Sequence, residues 1–175
     1  MKITAYSREA AISEQFNGKE KVWISINDES CESPIVRYET LVTQRYDDVA
    51  PFHVEIDAIH PYYKREFNSR EPIYFNEKMA DEVLNLGMHC LLWVSDIHVH
   101  CFAGKSRSVA TVQALNEIFN LFYLDNREEY MENLQRVVKS VPNSFVYTTI
   151  MKRFMEREKE ITKWFEDRGL YHVVH

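Results

Sequence analysis

Nine consecutive residues of this 175-residue chain carry types that can do chemistry together: His100-Cys101-Phe102-Ala103-Gly104-Lys105-Ser106-Arg107-Ser108. A β-branched, apolar stretch, Ile97-His98-Val99, leads into them, and a helical pattern from Val109 to Phe122 leads out. A strand, a tight loop and a helix aim successive backbone N–H groups at one point, with the positive end of the helix behind them. That arrangement is an anion cradle. A thiol held in such a cradle ionises more readily than a free one, and an arginine fork can hold two oxygens of a single oxyanion. Cys101 therefore reads as a nucleophile and Arg107 as the clamp on the anion it attacks. Gly104, one of only four glycines in the chain, lets the backbone curl between them.

The elements that must position this loop are legible on both sides of it. Lys2 to Tyr6 reads as a short strand, and Ser7 offers an N-cap to a helix running to Phe16, stopped by Asn17-Gly18. Val22 to Ile26 is an almost continuous apolar run of strand length, the pattern of a strand buried on both faces of a parallel sheet. Asn27 to Ser30 supplies turn chemistry after it. Tyr38 to Thr43 is a further strand, followed by Gln44-Arg45-Tyr46-Asp47-Asp48-Val49. Met79, Val83, Leu86, Cys90 and Val94 form one helical stripe capped by Asn76, although Gly87 falls inside it at about 1 kcal/mol relative to alanine. Ser95-Asp96 reads as the turn into Ile97–Val99, and His98 and His100 are expected to point to opposite faces of that strand. Downstream, Tyr130, Leu134, Val138 and Val141 give one core-facing helix, and Val146, Ile150, Phe154, Ile161 and Phe165 give another over about residues 144–168. Residues 50–73 are irregular, aromatic and punctuated by proline; they read either as a functional elaboration at the mouth of the site or as a surface insertion.

Composition sets the frame. An apolar share of 45% and a charged share of 27% are those of a globular chain, and one domain over residues 1–175 is expected. There is no apolar run of membrane length and no secretory leader pattern. The formal net charge of −6 argues against a nucleic-acid surface. Cys31, Cys90 and Cys101 cannot all pair with one another and show no metal-ligand spacing, which suits a reducing cytoplasm. No metal and no cofactor are expected, no membrane partner, and the oligomeric state stays open.

The text HCFAGKSRS resembles the HCxAGxSRS form of the His-Cys-x5-Arg-Ser loop of the cysteine-dependent protein phosphatases, the small dual-specificity branch in particular. Two further features are similar to the small phosphatases of bacterial and phage type. Tyr46-Asp47-Asp48-Val49 resembles their strand end with an aromatic and an aspartate, and Pro142-Asn143 precedes an apolar helix as theirs does. The resemblance runs from about Val22 to Phe154. It implies an α/β fold with a mostly parallel central sheet, helices on both faces and a dual-specificity-phosphatase-like arrangement.

It also implies roles. Cys101 would take the phosphoryl group, while the backbone N–H groups of Phe102, Ala103, Gly104, Lys105, Ser106 and Arg107 bind phosphate. Arg107 would clamp two oxygens, Ser108 would stabilise the departing thiolate, and His100 would order the loop. The general acid matches Asp48, whereas the residues alone leave Asp47 and Asp57 open as competitors. The implied reaction is hydrolysis of phosphotyrosine, with phosphoserine and phosphothreonine as further substrates, in a phosphorylated protein or peptide. The same chemistry on a phosphoinositide, nucleotide or RNA end is the alternative, and a phosphate-binding module without turnover is the more distant one. Lys105 suits polyanionic substrates in phosphoinositide-directed relatives, but those usually carry a basic residue where Phe102 stands and a glycine where Ser106 stands.

Overall fold

The computed structural model describes residues 1–14, 21–27, 41–45, 73–93, 96–124, 126–137 and 140–169. Strand β1, Lys2–Ser7, runs directly into helix α1, Arg8–Glu14. Ser7 makes the N-cap its residue type announces, its Oγ accepting from the Ala10 N–H at 3.2 Å. Strand β2 spans Lys21–Asn27 and strand β3 spans Leu41–Arg45. Helix α2, Glu77–Trp93, starts at Asn76, whose Oδ1 accepts from the Met79 N–H at 3.1 Å. Strand β4, Asp96–Cys101, leads to helix α3, Arg107–Leu115. Helices α4, Arg127–Val137, and α5, Ser144–Glu166, complete the described chain.

The four strands form one sheet in the order β1-β4-β2-β3, and every pairing is parallel. Side chains alternate along a strand, so the sheet has two different faces. Ile3, Val22, Ile24, Ile26, Ile97 and Val99 enter the main core, where Val83, Leu84, Leu115, Ile118, Ile150 and Phe165 of the helices on that side meet them. On the other face Trp23 and Tyr6 pack against Ala11 of α1. Helices therefore cover both faces. Val22 through Asn27 are all buried, as a strand with neighbours on both sides of the sheet must be.

Four local expectations change. His98 and His100 do not diverge. Two positions apart on one strand, they share the face of Trp23, whose ring centroid lies 4.9 Å from His98 and 6.3 Å from His100. Asn27 and Asp96 are not turn residues; they are the last residue of β2 and the first of β4. Val141 is not on a core-facing helical stripe, being 82% exposed and beyond the end of α4. Finally, α3 continues as a π-helical segment, Asn116–Tyr123, with the Leu124 N–H reaching back five residues to the Phe119 carbonyl at 2.9 Å. Asn120 donates from Nδ2 to the Met1 carbonyl at 2.9 Å, which ties this wider turn to the start of the chain.

Gly87 does not break α2. A Cβ added there would clash with the edge of the Phe119 ring, so the missing side chain is what lets α2 and the π-helical segment approach. Gly87→Ala should lower stability by about 1–3 kcal/mol, the usual cost of overpacking, despite alanine's better helix propensity. A chemical denaturation midpoint no lower than that of the unaltered chain would contradict this. On the outer side, Arg153 holds Asp81 through Nε and Nη2 at 2.9 and 3.0 Å, and Arg157 adds Nη1 at 2.7 Å, clamping α5 to α2. Burial works against ionising Asp81, but the two guanidiniums outweigh it and hold the carboxyl below its ordinary range.

Candidate active site

The loop sits where three parallel strands end. Within the sheet, Ser7 of β1 is paired with Cys101 of β4, and Ser25 of β2 is paired with His100. The carboxyl edge of a parallel sheet, with a helix N-terminus facing it, is the place where such folds bind ligands. Five residues, 102–106, join Cys101 to the start of α3 at Arg107. Ser106 occupies the N-cap position, yet its side chain makes no capping bond, so the first-turn N–H groups are not taken up by it.

Gly104 is essential to this path. It has a φ of +69°, and an added Cβ would come within 2.5 Å of the Ser7 backbone nitrogen and 2.7 Å of the Tyr6 carbonyl carbon. Both the left-handed backbone and the contact with β1 exclude a side chain. Two backbone bonds hold the rest of the loop: the Arg8 N–H donates to the Phe102 carbonyl at 3.0 Å, and the Ser106 carbonyl accepts from Ala110 at 2.9 Å. Ser106 is also reached by the Asn143 N–H at 3.4 Å, which brings the start of α5 to the rim. Asn143 is itself the N-cap of α5, its Oδ1 accepting from Val146 N–H at 3.1 Å.

Burial divides the loop into a floor and a rim. Cys101 is 2% exposed, Arg107 is 4% and Ser108 is fully buried, whereas Phe102 is 65% exposed. Ala103 and Lys105 are exposed as well, and Gly104 and Ser106 are half-buried. The Ser108 hydroxyl lies 3.2 Å from the Cys101 Sγ. Cys101 and Ser108 are thus in contact across the loop, and Arg107, also buried, is the first residue of α3. Asp48, Asp47, Asp57 and Cys31 lie outside the described residues. Cys90 is buried on α2, and burial pushes its thiol up to about 12.

His100 stands behind the floor. Its Nε2 lies 2.7 Å from the Ser25 Oγ, and Asn27 donates from Nδ2 to that same Oγ at 2.9 Å. Ser25, Asn27 and Arg8 were not singled out by sequence reasoning. The available signal was the polar interruption of an otherwise apolar strand, since Ser25 is fully buried and Asn27 is 4% exposed. Burial is the largest influence on the His100 ring; the Arg8 and Arg107 charges act with it and a backbone hydrogen bond with Cys101 acts against it, leaving the pKa lowered to about 4. Among the described residues no three His, Cys, Asp or Glu side chains converge as a metal site requires, and no helix is long and apolar enough to cross a membrane.

The lowered His100 value has a consequence for stability. An unfolded histidine takes up its proton near pH 6.5, the folded one only near 4. Between those values the unfolded chain binds more protons, so stability present above pH 6.5 is lost as the pH falls to 4. The loss from this one group is of order 3 kcal/mol. His100→Gln should flatten the slope of unfolding free energy against pH in that window, measured in denaturant at several pH values; an unchanged slope would remove His100 as its source.

No protein-family model matches the chain, and no curated protein matches it. Solved structures do. The crystal structure of human DUSP28 superimposes with a TM-score of 0.54 at 13% identity, over 90% of this chain and 94% of that one. Human tyrosine phosphatase-like serine/threonine/tyrosine-interacting protein gives a TM-score of 0.45 at 14% identity, covering 89% of this chain and 93% of that one. Tk-PTP in its active form gives 0.47 at 14%, covering 89% and 90%. The likeness to DUSP28 bears out the expected fold: a parallel α/β arrangement of dual-specificity-phosphatase type.

Proposed function

We propose that this chain hydrolyses phosphomonoesters through a phosphocysteine intermediate on Cys101, with phosphotyrosine in proteins as the main substrate and phosphoserine and phosphothreonine as further ones. The observation that carries the reading is a buried Cys101 Sγ 3.2 Å from the Ser108 hydroxyl, at the base of a strand-loop-helix turn whose helix begins at a buried Arg107. Phosphoryl transfer asks the protein for positioning and charge stabilisation more than for covalent chemistry, and the reading assigns both to this loop.

In the first step the Cys101 thiolate forms a bond to phosphorus while the bond to the ester oxygen breaks. The leaving oxygen takes a proton from a carboxylic acid, for which the resemblance selects Asp48. Backbone N–H groups from Phe102 to Arg107 and the Arg107 fork hold the three non-reacting oxygens. In the second step water attacks phosphorus and returns a proton to that carboxylate, the P–S bond breaks to release inorganic phosphate, and the Ser108 hydroxyl donates to the thiolate as it departs. No metal or cofactor enters either step. The setting is the cytoplasm, where a thiolate stays reduced, and the domain is a single phosphatase unit with residues 50–73 as an insertion.

The test is turnover of a generic aryl phosphate, followed by a panel of phosphotyrosine, phosphoserine and phosphothreonine peptides against a phosphoinositide, a nucleotide and an RNA 5′ end. Fastest hydrolysis of the phosphotyrosine peptide supports the proposal. Preference for one of the last three keeps the chemistry and replaces the substrate, and phosphate binding without any turnover leaves a binding module in its place.

A further inference from the structure

Behind the loop, three polar side chains form a line through the sheet: Asn27, Ser25 and His100 are respectively 4%, 0% and 0% exposed. Asn27 Nδ2 lies 3.3 Å from the Ser25 carbonyl oxygen and 2.9 Å from the Ser25 Oγ. A carbonyl only accepts, so the group Asn27 turns toward Ser25 is its NH2, which donates to the hydroxyl too. With one lone pair of the Ser25 Oγ filled in this way, the 2.7 Å contact to His100 Nε2 has the hydroxyl as donor when Nε2 is bare and as acceptor when Nε2 carries the proton. A ring that titrates near 4 is neutral at ordinary pH and carries a single proton.

We infer that Ser25 and Asn27 are positioning residues of the Cys101 loop: Asn27 donates to Ser25, the Ser25 hydroxyl donates to His100 Nε2, and the imidazole is thereby fixed with its proton on Nδ1. The Nδ1 atom is buried and has no well-aligned partner, while a backbone hydrogen bond with Cys101 favours a proton on the ring. The opposite tautomer would set a nitrogen lone pair against the Cys101 backbone, where the hydrogen bond needs a donor. The relay thus gives the Cys101 backbone a donor, and it does so from a neighbouring strand, through the pairing of Ser25 with His100. Its consequence for turnover rests on the reading of Cys101 as nucleophile; the tautomer itself does not.

Two-bond proton–nitrogen correlation spectra of the ¹⁵N-labelled full chain at pH 7 report the tautomer directly, with the His100 ring assigned by its loss in His100→Gln. The unaltered chain and Ser25→Thr should both show a protonated Nδ1 and a bare Nε2, and Ser25→Ala should shift toward Nε2–H. The rate of Cys101 alkylation by iodoacetamide, followed by peptide mass spectrometry, gives a second readout that needs no turnover. It should fall about 5–10-fold in Ser25→Ala, the factor carried by one buried hydrogen bond, and be restored in Ser25→Thr. A protonated Nε2 in the unaltered chain overturns the relay, whether or not Ser25→Ala folds. Alkylation equally fast in Ser25→Ala and the unaltered chain overturns its role in positioning Cys101. Neither readout uses a phosphate ester, so failure of the phosphatase reading would be seen separately, in the turnover panel.

Discussion

Cys101→Ser is expected to lower turnover of an aryl phosphate by about 10⁴-fold or more, the scale seen when an enzyme loses its nucleophile, while inorganic phosphate or vanadate still binds. The two halves of this expectation have different origins. Turnover fails because a serine hydroxyl is not ionised near neutral pH, and among the described residues the neighbouring His100 Nε2 is already engaged with Ser25. Binding survives because the cradle is shaped by groups the substitution does not touch. Gly104 lies against the Tyr6–Ser7 backbone, Arg8 N–H holds the Phe102 carbonyl, and Asn143 and Ala110 hold that of Ser106. Arg107→Lys should behave differently, losing turnover and oxyanion affinity together, because an ammonium cannot supply the bidentate fork. The pair of variants is checked by steady-state hydrolysis and by calorimetric titration with phosphate. Substantial activity in Cys101→Ser would remove Cys101 as nucleophile. Loss of phosphate binding in it, with activity also lost, would show instead that the thiol is needed to shape the cradle.

What the chain announces and what it conceals follow one physical division. The loop is legible because its chemistry is contiguous: nine adjacent residues contain the thiol, the guanidinium, the glycine that must adopt a positive φ and the hydroxyl that ends beside the sulfur. Helix α2 and strand β2 are legible because a buried stripe at helical spacing points to a helix and an almost continuous apolar run of strand length to a buried strand. The Asn27–Ser25–His100 line is not legible, since it exists only once β2 and β4 are neighbours, and 75 residues separate the serine from the histidine. The shared face of His98 and His100 was available from strand periodicity and was misjudged. Gly87 shows the reverse case: its cost as a helix residue is visible in the sequence, but its reason, the Phe119 ring, is not. Val141 fits the spacing of an apolar stripe and is nevertheless exposed, because α4 ends before reaching it.

Asp48→Asn should slow hydrolysis of an ester with a poor leaving group by roughly 10²–10⁴-fold, the usual worth of general acid catalysis, and far less for a leaving group that needs no proton. Asp48, Asp47 and Asp57 all lie outside the described residues, and the strand that precedes them is β3. Arg45, the last residue of β3, is paired with Asn27, and two residues earlier on β2 Ser25 is paired with His100. All these strands run parallel, so the chain leaves β3 at the same carboxyl edge at which Cys101 leaves β4. Neighbouring side chains of an extended segment point opposite ways, so only one of Asp47 and Asp48 would face the thiol, and the resemblance to the small phosphatases selects Asp48. A general acid must be protonated to act, so the basic limb of the pH–rate profile should flatten in Asp48→Asn as well. The same leaving-group dependence appearing in Asp47→Asn or Asp57→Asn, and not in Asp48→Asn, would move the proton donor to that residue and leave the nucleophile assignment intact.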